Sequence, residues 1–181
     1  METTTEEQLK VWVGCLACYN EGELVGRWVD AIEAGDASPE DIHKMPTDHE
    51  ELWCFDIDDT TGLFLTGEMS PGEAQRIAEG AEGLKDVGID AKALSAFLAN
   101  EHRTLATCDD DDLDRFQDSY QGEWDTERDF AENYAAGEGL ISRNAHWPYT
   151  CVDWEWATRE LMFDYWSVPT GGGALYVFYA L

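Results

Sequence analysis

The 5 cysteines and 4 histidines of this 181-residue chain are the side chains best suited to hold a soft metal or to drive nucleophilic chemistry. Cys15 and Cys18 form a C-x-x-C pair, but a structural zinc site needs four ligands, usually from a second close pair or a spaced His pair. Cys54, Cys108 and Cys151 stand alone in the sequence, and His43, His49, His102 and His146 are scattered. Strand alternation would put Cys15 and Cys18 on opposite faces, so both are expected in a buried strand, without metal. Asp56, Asp58 and Asp59 begin like a calcium loop. However, its fifth and sixth positions are Thr60 and Thr61, and its twelfth is Gly67 in place of Glu. The run Asp109, Asp110, Asp111, Asp112 fails likewise, with Leu113 at the fifth position. His49-Glu50-Glu51 lacks the second His of a zinc protease, and no Gly-rich loop leads into a helix with a Lys. The expectation is a protein that is not an enzyme and carries no cofactor.

The elements that would position these residues fall into three segments. In segment 1–70, Val11 to Tyr19 reads as a strand, Asn20-Glu21-Gly22 as a turn and Leu24 to Trp28 as the returning strand. Ser38 caps a short helix over 39–44 that begins with Pro39, and Leu52 to Phe55 forms a third strand. Segment 71–108 is helical. Ser70 and Pro71 start one helix, broken from Gly83 to Gly88, and Asp90 caps a second over 91–101. Its cores are weak alone, so it should pack on its neighbours. In segment 109–181 the Asp run opens a helix bearing Leu113, Phe116 and Tyr120, since negative charge is favourable at a helix N-terminus. A turn at Gln121-Gly122-Glu123 and helices over 127–136 and 154–165 follow, with a final strand over 175–179. The fold class is α+β, an elongated chain of three small domains.

Charge is the dominant feature of composition. There are 39 Asp plus Glu against 11 Lys plus Arg, a net charge of −28. The content of 44% hydrophobic and 12% aromatic residues supplies a core and argues against disorder. Such a chain is repelled by nucleic acid and by anionic membranes, so its natural partners are basic surfaces. Segments 1–70 and 109–181 hold nearly all the charge. The start METTTEEQLK has no basic region followed by an apolar one, no apolar run is long enough to span a bilayer, and a cytoplasmic location is expected. An odd number of cysteines without an export signal points to reduced thiols. At one charge per about 1.7 Å of B-DNA axis, 28 charges match a duplex of about 48 Å. A compact chain of this length would be about 41 Å across. The charge therefore suffices for imitation of DNA, though halophile-type acidic solubility or cation binding with no such role would also account for acid.

Motifs decide between these readings. Tyr19-Asn20 with Gly22, Leu24, Gly26 and Trp28, then His49-Glu50-Glu51-Leu52-Trp53 with Phe55-Asp56, and Gly67-Glu68 with Ser70-Pro71 and Glu73-Ala74, resemble the N-terminal half of ArdA-type antirestriction proteins. Phe116, Asp118, Tyr120, Gly122-Glu123-Trp124-Asp125 and Asp129-Phe130-Ala131 resemble its later block. Val152-Asp153-Trp154-Glu155, Arg159-Glu160-Leu161, Phe163-Asp164-Tyr165 and Tyr176-Val177-Phe178 resemble its C-terminal end. Residues 35–47 match less clearly and read as an insertion.

The resemblance implies an elongated, curved, dimeric mimic of bent B-DNA without catalytic residues. Such a protein occupies the DNA groove of type I restriction-modification enzymes, chiefly the specificity and methyltransferase subunits, and protects incoming mobile DNA. The carboxylates expected to meet the partner are Asp56, Asp58, Asp59, Asp109, Asp110, Asp111, Asp112, Asp114, Asp118, Glu123, Asp125, Glu127, Asp129 and Glu132. The aromatic residues Trp154, Trp156, Tyr165, Trp166, Tyr176 and Phe178 exceed what a small C-terminal unit needs to bury, so some of them are expected at a homodimer interface, the alternative being that they are ordinary core.

Overall fold

The structure, a computed structural model, describes residues 9–63, 67–141, 146–147 and 150–180. Most of the N-terminal stretch read for an export signal lies outside them. The chain forms two compact units, Met1–Asp109 and Asp110–Leu181, in an α+β fold with two three-stranded antiparallel sheets.

In the first unit, β1 (Leu9–Cys15) lies between β2 (Gly26–Asp30) and β3 (Leu52–Asp59). Val11, Val13 and Cys15 alternate inward and are buried, as a one-sided strand requires. The expected single strand over 11–19 is corrected: the chain leaves β1 after Cys15 and turns through a short helix, α1 (Leu16–Asn20). Trp12 points to the opposite face and lies across the glycines beside it. A Cβ on Gly14 or Gly26 would fall 2.4 Å from its indole, so both positions are held to glycine by this close approach.

Ser38 caps α2 (Pro39–His43) through a reciprocal capping box with Asp41, and these bonds hold the Asp41 carboxyl below its ordinary pKa. Between β2 and α2 the chain makes a 3-10 helix, Ala31–Asp36, which no pattern in the sequence marks. It forms the floor on which α3 (Pro71–Asp86) packs through Ala74, Ile77 and Ala81. α3 runs straight through Gly83, where a break is expected from the sequence. Packing of its apolar face outweighs the cost of one exposed helix glycine, about 1 kcal/mol. α4 (Ala91–Ala99) is capped by Asp90, which accepts from Lys92 N at 2.9 Å and Ala93 N at 3.1 Å. The helical segment 71–108 lies within this first unit. Cys54, buried in β3, has its thiol pushed up to about 12, chiefly by burial, with Glu73 adding to it.

The second unit opens with α5 (Asp110–Ser119), runs through β4 (Tyr120–Trp124), α6 (Glu127–Gly137) and α7 (Trp154–Leu161), and closes with β5 (Tyr165–Pro169) and β6 (Leu175–Tyr179). The sheet order is β4-β6-β5. Two expectations are corrected here. Gln121-Gly122-Glu123 is no turn but the interior of β4, where the register skips Gln121 and Gly122 takes φ +101°, so the glycine serves a bulge. Helix α7 ends at Leu161, and Tyr165 begins β5 in place of extending the helix, because Tyr165 to Val168 is a β-forming run that completes the sheet. The core is Phe116, Phe130, Ala131, Tyr176, Val177 and Phe178, with Trp166 stacked on Phe178 at 4.3 Å.

Two substitutions test this packing by denaturant unfolding. Gly83→Ala, with open space around the added methyl, should stabilise the protein by about 0.5–1 kcal/mol. Asp112→Ala should destabilise it by about 1.5–3 kcal/mol, because the Asp112 carboxylate is buried 3.7 Å from Arg115, whereas the exposed Asp111→Ala should stay within about 0.5 kcal/mol.

Candidate functional site

The expected partner-binding carboxylates occupy three places. On β3, strict alternation from the buried Cys54 would turn Asp56 and Asp58 inward. A β-bulge prevents this. Trp12 pairs with Asp56 and Val13 with Cys54, so Phe55 is the extra residue and the alternation reverses after it. Asp56 and Asp58 are thereby exposed. Asp59 instead acts locally. Its carboxylate accepts from the backbone N–H of Thr61 at 2.9 Å and of Gly62 at 3.0 Å, shaping the turn that ends β3.

On α5, Asp110, Asp114 and Asp118 recur every four residues and form an exposed stripe, with Asp111 beside it. Their N-terminal members face the positive end of the helix macrodipole, which offsets part of their mutual repulsion. Asp109 is exposed and receives a hydrogen bond from Arg103 at 3.5 Å. Asp112 differs from the others. It is fully buried, so its carboxylate offers no surface to a partner.

The third group surrounds one open depression lined by Glu123, Trp124, Asp125, Asp129, Glu132, Asn133 and Ala136. Strand β4 supplies Glu123 and helix α6 supplies Asp129 and Glu132. Asp129 also helps to cap α6 with Thr126, and Glu132 accepts from Arg128 at 2.6 Å. Glu127 lies outside the depression and accepts from Ser167 at 2.7 Å, tying α6 to β5.

The six aromatic residues from which a homodimer interface is expected divide by burial. Tyr176 and Phe178 are buried in the core of their own unit, and Trp166 is occupied in stacking on Phe178. Tyr165 packs edge-on against Phe130 at 5.0 Å, and its hydroxyl is pushed up to about 12 by burial and by the neighbouring Tyr134. Trp154 is half-buried. Trp156 is 58% exposed, as is Phe163 at 75%, which is not among the six.

One constellation escapes sequence reasoning. The ligand atoms of Cys15, Cys18, His43 and His49 all lie within 4.8 Å of one another. The expectation that Cys15 and Cys18 face opposite ways is overturned because the strand ends at Cys15. Helix α1 then brings Cys18 back over it, three residues on and one turn up. Cys15 is paired with Leu52, so His49, three residues before Leu52, hangs over the same end of β1. His43 ends α2. Lys44, at φ +56°, turns the chain out of the helix so that it can return at His49. Both cysteines are buried and free of disulfides, and the Cys18 thiol is raised by burial and by the adjacent Cys15. The signal in the sequence is C-x2-C followed by H-x5-H, a spaced His pair and not the scatter it resembles.

A family model of antirestriction proteins, ArdA, matches residues 11–175, which takes in both units and all fourteen expected carboxylates. A search of the curated proteins finds no match to the chain. Because the matched span covers nearly the whole sequence, the chain belongs to the ArdA family of antirestriction proteins, inhibitors that act on restriction-modification enzymes.

Proposed function

We propose that the protein protects incoming mobile DNA as a homodimeric mimic of DNA charge, competing for the DNA-binding groove of type I restriction-modification enzymes at their specificity and methyltransferase subunits. The observation that carries this reading is the exposure of ten of the fourteen expected carboxylates, on or beside β3, α5, β4 and α6. Residues four apart on a helix are separated by about 6 Å along its axis, and alternate strand residues by about 6.8 Å. A DNA strand carries one phosphate per about 3.4 Å of axis, so one stripe such as Asp110, Asp114 and Asp118 has roughly half that density. Asp111 raises it.

The physics is that of a basic groove meeting a fixed anionic array. Binding releases condensed counterions, as phosphates do, and needs no base contact. Phosphate contacts carry position and not sequence, so one mimic would serve against enzymes with different recognition sites. For the dimer, the exposed Trp156 and Phe163 supply aromatic surface of the kind enriched at interfaces.

Competition with labelled DNA for a purified type I methyltransferase complex, at several salt concentrations, tests the mimicry. Displacement should weaken steeply with salt. Asp111→Asn alone should change affinity by no more than about fivefold, since exposed ion pairs are worth about 0.2–1 kcal/mol. Neutralising Asp56, Asp58, Asp110, Asp111, Asp114, Asp118, Glu123 and Asp125 together should weaken it by at least about 100-fold and flatten the salt slope. No displacement by folded protein from several such enzymes would end the proposal and return the charge to solubility. Sedimentation over a range of concentrations should give a dimer, and a monomer persisting at micromolar concentration would remove that part.

A further inference from the structure

We infer that Cys15, Cys18, His43 and His49 bind one zinc ion as a closed structural site. A tetrahedral zinc with bonds of about 2.3 Å to sulfur and about 2.0–2.1 Å to nitrogen has sulfur–nitrogen edges of about 3.5–3.6 Å. The corresponding distances here are 3.2 Å from Cys15 Sγ to His49 Nδ1, 3.5 Å from Cys18 Sγ to the same nitrogen, and 3.9 Å from Cys18 Sγ to His43 Nε2. They straddle the ideal edge. The two imidazoles meet edge to face, with ring centres 5.2 Å apart, so both can aim a nitrogen at one point.

Donor chemistry selects the metal. Two thiols and two imidazoles suit zinc and exclude calcium and magnesium, which take oxygen ligands. Four protein ligands fill a tetrahedron and leave no open position for a substrate, so the site is structural and not catalytic. His49 borders an open depression lined by Pro39, Glu40, Thr47, Asp48 and Glu50, which gives the ion a path in. Binding sends two thiol protons to solvent as two zinc–sulfur bonds form. The ion's two positive charges balance the two thiolates, and the net charge of −28 is unchanged.

The site joins three pieces of the first unit: the end of β1 with α1, the end of α2, and the loop entering β3. These pieces carry the exposed Glu21, Glu23, Glu40, Asp48, Glu50 and Glu51. Their mutual repulsion drives the segments apart, and a neutral covalent-like staple opposes this without consuming any carboxylate. The zinc site stands on this geometry alone and does not depend on the mimicry proposed above.

The test is zinc content of the full chain, prepared under reducing conditions, equilibrated with zinc and desalted at high ionic strength to strip ions held loosely by carboxylates. One zinc per chain should remain in the wild type and in Cys151→Ser. Cys18→Ser and His43→Ala should each weaken zinc by at least about 100-fold, since even outer partners of metal ligands cost about 10–100-fold. Cobalt in place of zinc should show tetrahedral d–d bands and thiolate charge transfer. If the variants do not fold, the wild type decides: chelation should lower its melting temperature, and equimolar zinc, but not magnesium, should restore it. Folded wild type that retains no zinc, retention unchanged in both variants, or a cobalt spectrum typical of oxygen ligands would each overturn the inference.

Discussion

Repulsion among carboxylates is the constraint to which the rest of this structure answers. With 39 acidic against 11 basic side chains, each compact arrangement brings like charges together, and only 44% of residues are apolar enough to oppose it. The cores are accordingly small. One is built on Val11, Val13, Cys54 and the buried faces of α3 and α4, the other on Phe116, Phe130, Tyr176 and Phe178.

The chain answers the constraint by giving many carboxylates a local partner. Asp41, Asp90 and Asp153 accept backbone N–H groups at helix starts, where the macrodipole also favours negative charge. Asp41 and Asp129 also accept from the hydroxyls of their capping residues, Ser38 and Thr126. Asp59 closes a turn, and Asp112 is buried beside Arg115. An acidic residue count therefore overstates the charge presented at the surface, and the Asp109 to Asp112 run shows how: four identical neighbours have three different surroundings.

Much of the local architecture was legible because it depends on residues within one turn of each other. Ser38 before Pro39, Ser70 before Pro71, Asp90 and Thr126 each mark a helix start that the structure contains. The strand over 175–179 was readable from its aromatic and β-branched run. Misreadings fell where distant partners override local preference. Gly83 stays helical because α3 packs on the 3-10 helix of residues 31–36, and Tyr165 becomes a strand residue because β6 lies ready to pair with it.

The sequence by itself determined the charge, the capped helices, the α+β class and the family, since each is written in composition or in short ordered motifs. Tertiary structure alone decided which carboxylates face out. The bulge at Phe55 reverses the face of Asp56 and Asp58, and folding buries Asp112 while its neighbour Asp111 stays exposed. It also assembled Cys15, Cys18, His43 and His49, up to 34 residues apart. The physical reason is the same in both cases. Caps and periodicity are settled by neighbours in the chain, whereas a side chain's face and its distant partners depend on how strands pair and loops close.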